Sequence, residues 1–255
     1  MRDLQPDDVL SAVEQGVNFL NWPGGSEGTP NSDAFSLAIA SLGSRRDSLV
    51  VCTQLGVRCA DEAERELHSV LAALRIDYLD VVTLYYVEHR EEWDRLRADD
   101  GALRYCQQAK TAGLIRRIGL TSHQRPLAAE MAKSGLLDTL MIRYNAAHRG
   151  AETDIFPVTD ALGVPVVAYT ALRWKALLRP TPDDPPGFVV PAAADWYRFV
   201  LQSPSVAVVL AAPRDRAELG EDLTALTTTG PLDAETFARL AAHGQRVRRH
   251  AGAFP

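Results

Sequence analysis

The sequence predicts an α/β fold, a (β/α)8 TIM barrel of parallel strands that is one strand short at its amino end. Two observations carry that expectation. Short continuous apolar runs alternate with longer stretches whose apolar residues recur at spacings of three and four, the pattern of βα units on a parallel sheet. The units repeat about every 30 residues, the length of one strand, one helix and their loops. A third observation weighs against the rival, a doubly wound sheet, which needs a phosphate loop opening a helix behind an early strand. The candidate, Gly24-Gly25-Ser26-Glu27-Gly28, lacks the glycine spacing and has no helix directly behind it, so it reads as a plain glycine-rich loop.

The elements follow in order. Strands are expected at residues 17–21, 49–52, 78–84, 117–121, 139–143, 164–168 and 206–210, each a short apolar run. Helices fall near 8–15, 33–42, 60–74, 101–112, 126–134, 153–162, 192–202 and 218–226. The stretch from Ala60 shows how such a helix is specified. Asp61, Glu62 and Glu64 fill its first turn, where the positive end of the helix dipole favours carboxylates, and Leu67, Val70, Leu71 and Leu74 then recur on one face toward the sheet. The proline-rich run 179–191 is an irregular excursion rather than a linker. Residues 228–255 form a helical extension whose basic end, Arg246 to His250, reads as a solvated face, and the whole chain is expected to be one domain.

Composition narrows the function classes. The 255 residues are 46% hydrophobic, 24% charged and 7% aromatic with a net charge of -6, enough apolar content for a full core. Collagen, disorder and coiled coil are excluded. No apolar run reaches membrane-spanning length and the chain opens on the polar Met1-Arg2-Asp3, so neither a span nor a cleaved signal peptide is expected. The mildly acidic balance argues against a nucleic-acid partner. Cys52, Cys59 and Cys106 lack metal-ligand spacing and are odd in number, so they read as reduced thiols of a cytoplasmic protein, and no metal site is expected. Only Lys110, Lys133 and Lys175 are lysines, and none precedes Lys110.

Six segments, in order and correctly spaced, resemble the aldo-keto reductase superfamily. Gly16-Val17-Asn18-Phe19-Leu20-Asn21 is similar to its GxNFFD strand, and Asp77-Tyr78-Leu79-Asp80 to its DYxD. The run from Gly113 to Ser122 resembles GKIRxIGVSN. Arg143-Tyr144-Asn145, Ala168 to Leu172, and Val206 to Asp222 resemble the YN, AYSPL and IPG…EEN segments. The resemblance covers about residues 9 to 227. It implies a (β/α)8 barrel with NADPH across the carboxyl ends of the strands. The family's first barrel strand has no counterpart, because Met1 falls just ahead of the first helix. A late start, an open barrel or another chain filling the gap would each account for that, and an open parallel edge would invite homo-oligomer formation.

The resemblance also implies an Asp-Tyr-Lys-His tetrad, in which Tyr donates the proton and Lys lowers its pKa. Here those positions read Asn21, Ser26, Gln54 and Tyr85. Residue order alone keeps a tyrosine and a lysine out of the first two βα loops of the chain, since the earliest tyrosine is Tyr78 and the earliest lysine Lys110. On the cofactor side, Tyr169 stands where the family stacks a tyrosine on the nicotinamide. Thr121 and Ser122 replace the Ser-Asn pair at its carboxamide, and Met141 replaces a Gln there. Arg214, with Arg216 two residues on, stands near the expected 2′-phosphate, and Glu221 and Asp222 near the adenine.

Further polar groups cluster at the carboxyl ends of strands, the functional face of such barrels: Tyr85, Tyr86, Glu88 and His89, then His123, then His148 and Arg149, then Arg173, Trp174 and Lys175. His89 and His123 are the leading acid–base candidates, with Tyr85 next. Three functions compete: an NADPH-linked oxidoreductase of a small molecule with a non-standard proton donor, a redox-silent lyase, isomerase or cyclase, and a non-catalytic binding protein. The fold alone does not separate them.

Overall fold

The computed structural model describes residues 3–22, 33–228, 230–250 and 252; the glycine-rich loop with Ser26 lies outside them. Seven strands form one sheet in chain order: β1(Phe19–Trp22), β2(Val50–Leu55), β3(Leu79–Leu84), β4(Ile115–Ser122), β5(Thr139–Arg143), β6(Val166–Tyr169) and β7(Val206–Val209). Every neighbouring pair is parallel. Among the described residues the seven strands make a nearly closed barrel, one strand short of eight. Helices cross between the strands: α1(Pro6–Glu14), α2(Ala34–Ala40), α3(Ala60–Leu74), α4(Arg90–Arg97), α5(Ala102–Thr111), α6(Arg125–Ala132), α7(Ala151–Asp154), α8(Phe156–Leu162), α9(Ala193–Leu201), α10(Arg216–Thr227) and α11(Ala234–His250).

Alternation along the strands divides the apolar residues into two clusters. Leu20, Val51, Leu55, Val82, Leu84, Leu120, Ile142 and Ala168 point outward and join the helices in the main core. Cys52, Val81, Met141 and Val167, with Phe19, Tyr169, Val208 and Leu210 against them, fill the interior. That interior is tight at Gly119, where an added Cβ would lie 2.6 Å from Thr139 Cγ2 and 3.0 Å from Thr83 Cγ2. At the amino ends, buried Asp80 accepts from Val51 N at 2.9 Å and pairs with Arg46 at 2.7 Å and Arg116 at 3.0 Å. Both guanidiniums lie over the Tyr78 ring, so one carboxylate ties β2, β3 and β4 together at the face that governs stability.

Two helical features depart from expectation. α4 lies in a stretch read only for its polar groups, because it buries just Trp93 and Leu96 and offers too few apolar positions to show a period. The single helix expected at 153–162 is two, α7 and α8. Pro157, at the start of α8, brings no N–H and cannot continue a helix through that point.

The last helix is clasped to the excursion that follows β6. Asp184 pairs with His243 at 2.9 Å and Arg246 at 2.6 Å, and Asp183 with Arg249 at 2.7 Å and His250 at 2.9 Å. The fully buried His243 ring stacks on Phe188 at 4.8 Å and lies 5.7 Å from Trp196. Helix α11 also crosses the 145–148 loop closely. A Cβ on Gly244 would sit 2.3 Å from the Ala146 carbonyl oxygen, so only glycine allows that approach.

Candidate functional site

The carboxyl ends of β1 and β2 meet through two amides. Gln54, only 8% exposed, donates from Nε2 to Asn21 Oδ1 at 2.8 Å, with Met141 Sδ at 3.8 Å. These are the positions at which resemblance placed an aspartate and a lysine, and they do meet in the fold. The pair here is uncharged. Beside it, the Thr121 hydroxyl donates to Thr83 Oγ1 at 3.4 Å, so the floor of the mouth is polar and neutral.

The ends of β3 to β6 are built differently. Tyr85 is exposed and packs against Tyr86 with ring centroids 4.1 Å apart; Tyr86 in turn stacks on His123 at 4.4 Å. His123 meets the Tyr169 ring edge-on at 5.8 Å. Glu88 Oε1 accepts from the backbone N of His123 at 2.8 Å and lies 3.2 Å from its Nδ1. Burial, with Arg143 nearby, pulls the His123 pKa below the usual histidine value despite the opposing Glu88 carboxylate. The neutral ring therefore keeps its proton on Nδ1 toward Glu88 and leaves the Nε2 lone pair available. Burial pushes the Tyr86 phenol up to about 12 and drives Tyr169 higher still. The Tyr169 hydroxyl and Thr170 Oγ1 are buried with no hydrogen-bond partner among the described residues.

His89 is not part of this cluster. It is the exposed residue at which α4 begins, and the Glu92 carboxylate accepts from the backbone N of Glu88 at 2.7 Å and of His89 at 3.0 Å. Arg58 holds that carboxylate at 3.1 Å and the carbonyls of Tyr85 and Tyr86 at 2.8 and 3.1 Å, framing the loop that aims Glu88 at His123.

The cofactor candidates form two groups. Thr121 and Ser122 are both buried at the end of β4, where Ser122 Oγ accepts from Gln124 N at 3.0 Å. At the other end, Arg214 is exposed and pairs with Asp215 at 3.1 Å and Glu218 at 3.3 Å, while Lys175 also pairs with Glu218. Arg216 turns to Asp8 at 3.4 Å. Glu221 is exposed, whereas Asp222 accepts from the Tyr197 hydroxyl at 3.3 Å and is raised by burial to about 6. Arg173, Trp174 and Lys175 adopt successive left-handed conformations with φ of 51°, 50° and 67°.

Sequence reasoning passed over Arg143 as a site residue. It pairs in register with Tyr169, two residues beyond the interior Met141, so strand alternation alone carries it to the mouth.

Comparison with known proteins gives a consistent family and fold. The model of the Aldo/keto reductase family matches residues 3–187. An aldo-keto reductase from Bacillus halodurans in its holo form is similar with a TM-score of 0.76 and 20% identity, covering 93% of this chain and 85% of that one. An aldo-keto reductase from Klebsiella pneumoniae in complex with NADPH gives 0.72 and 19% identity, with 94% and 84% covered.

Proposed function

Because the chain belongs to the aldo/keto reductase family, we propose that it is an NADPH-linked oxidoreductase in which the proton moves through His123 rather than a tyrosine–lysine pair. The Glu88–His123 pair beside Tyr169 carries this reading. The residues present fit the nucleotide. The buried hydroxyls of Tyr169 and Thr170, without a hydrogen-bond partner among the described residues, offer hydrogen bonds at the mouth, and Lys175 and Arg214, which here pair with Glu218 and Asp215, would turn from them to meet a phosphate at the far end. Tyr169, Thr121 and Ser122 would hold the nicotinamide, and Arg214 the 2′-phosphate. NADPH would supply the hydride for carbonyl reduction, and its oxidised form would accept the hydride of an alcohol.

His123 does the rest. Its neutral ring accepts a proton at Nε2 while Glu88 steadies the charge that forms, and Tyr86 stacking fixes the plane. Such a base favours removing a proton from an alcohol. Donation to a carbonyl needs the imidazolium, whose population grows only as pH falls toward the depressed His123 value. Asn21 and Gln54 are uncharged and tune no proton donor, so simple aromatic aldehydes should be reduced weakly.

The experiment titrates NADPH against tryptophan fluorescence, which exposed Trp174 reports, and then follows NADP-linked turnover. Quenching is expected, with His123→Gln lowering the residual rate about a hundredfold or more while nucleotide binding holds. Benzaldehyde reduction at the rate of an intact tetrad, untouched by His123→Gln, would overturn the proposal. Lack of NADPH binding would turn the function to redox-silent catalysis or a binding role.

A further inference from the structure

The bond that joins the first two strand ends leaves two polar atoms over. Gln54 lies two residues beyond the interior Cys52, and Asn21 two beyond Phe19, so both look into the mouth. Gln54 Nε2 donates one hydrogen to Asn21 Oδ1 at 2.8 Å and turns the other to Met141 Sδ at 3.8 Å, a sulfur that can only accept. That uses the Gln54 nitrogen and the Asn21 oxygen. The Gln54 Oε1 acceptor and the Asn21 Nδ2 donor remain, and neither bonds to another group among the described residues. Gln54 is only 8% exposed, so its oxygen has little water to turn to. Strand pairing does not call for the bond, since the backbones of β1 and β2 already set Asn21 in register with Cys52 and Trp22 with Thr53. The neighbouring hydroxyls are occupied, Thr121 donating to Thr83 at 3.4 Å and Thr83 to the Thr53 carbonyl at 3.5 Å. Met141 is in register with Val167, one interior layer before Tyr169, about 7 Å along the wall. The pair therefore lies at the foot of the Tyr169–His123 cluster.

We infer that the Asn21–Gln54 pair recognises a neutral amide on the substrate, a primary carboxamide or a lactam, whose carbonyl accepts from Asn21 Nδ2 while its N–H donates to Gln54 Oε1. Such groups carry a donor and an acceptor on one edge, whereas a trans amide points them in opposite directions. A ketone offers an acceptor alone, and a carboxylate would set an oxygen against Gln54 Oε1. A site whose buried polar atoms the wrong ligand leaves unpaired discriminates strongly against it. The inference names a substrate class for the oxidoreductase proposed above, a small molecule with its amide a few bonds from the alcohol or carbonyl that reacts at His123. It rests on that reading for the reaction and not for the binding, which needs no nucleotide. In the same reading the nicotinamide amide belongs to Thr121 and Ser122, which leaves this pair to the substrate.

The test follows the side-chain amide signals of Asn21 and Gln54 by NMR in the nucleotide-free protein, with Asn21→Asp and Gln54→Glu assigning them. The probes are δ-valerolactam, its N-methyl derivative, cyclohexanone and acetamidine. The lactam should shift both signals, and the two neutral probes without an N–H should bind about tenfold or more weakly. Asn21→Asp keeps the oxygen that Gln54 bonds and replaces the outward donor with an acceptor. It should weaken the lactam about tenfold or more and admit the acetamidinium ion, whose two N–H groups match two acceptors. A pair that only braced β1 against β2 would show no such exchange. If Asn21→Asp fails to fold, the three neutral probes on the unaltered protein still decide. Equal binding of the N-methyl derivative, no shift with the lactam, or an unchanged preference in Asn21→Asp overturns the inference. Displacement of the lactam from the pair by NADP also overturns it, because the pair would then serve the nicotinamide amide. Absence of NADPH binding with the lactam still held would sink the proposed reaction and leave this site standing.

Discussion

The barrel mouth has two unlike arcs. At β1 and β2 it closes on a neutral Gln54–Asn21 amide pair. At β3 to β6 it holds the Glu88–His123 pair, the Tyr86 and Tyr169 rings and the arginines around His148. The two also differ in what covers them, since α11 crosses the loop after β5 and is clasped to the loop after β6. In a ring of parallel strands each strand end contributes its side chains separately. Titratable groups can therefore leave one arc and accumulate on another while the sheet between them stays the same.

The largest effect should come from releasing the cover of the second arc. His243→Ala removes a ring packed between Phe188 and Trp196 and strips Asp184 of a partner, and should cost about 3 kcal/mol in urea denaturation. Hydrogen exchange should quicken at 145–148 and 170–175 and stay unchanged at β1 and β2. Uniform quickening would show that the arcs are not independent.

Next is the amide pair itself. Gln54→Lys sets an ammonium beside Asn21 at a site only 8% exposed and should cost about 2 kcal/mol. Adding Asn21→Asp should return most of it, a coupling of about 1–3 kcal/mol in a double-mutant cycle. The ion pair so made should restore little aldehyde reduction, because the chain has no tyrosine before Tyr78 to place beside it. Strong reduction by the double variant would mean that the first arc needs no phenol.

Gly119→Ala follows, at about 1–2 kcal/mol, since its methyl would press on Thr139 and Thr83 between the arcs. Measured stability close to the parent's would show slack in an interior that looks full.

The effect that is smallest at neutral pH, where it vanishes, is a slope in acid. His148 titrates at about 4 in the folded chain against an ordinary 6.5, so between those values the unfolded chain binds more protons. Stability present above about 6.5 should decline as the pH falls toward 4. His123 is shifted in the same direction. Melting temperatures across that range should fall less steeply in His148→Gln, and an identical slope would place the titrating groups elsewhere.

Much of the fold was legible because buried parallel strands announce themselves as short apolar runs. All seven are present, with ends displaced by a few residues. Helix α4 was not, because eight residues with two buried anchors carry no readable period. At the site, family resemblance pointed to Asn21 and Gln54, which hydrogen-bond to each other. Glu88 and His89 were indistinguishable by sequence, as adjacent polar residues after one strand. The start of α4 turns one toward His123 and leaves the other exposed. The arginine arc and the His243 clasp join residues far apart along the chain, a relation no local pattern records.

The clasp has a consequence for the order in which the protein is made. Asp183 and Asp184 leave the ribosome about 60 residues before the histidines and arginines that neutralise them, so β7 and α10 are synthesised while that loop is still unanchored. The barrel wall can set before its rim does. A nascent chain paused ahead of α11 should already hold its sheet yet lack a finished entrance, which makes the final helix a late gate on competence rather than on folding.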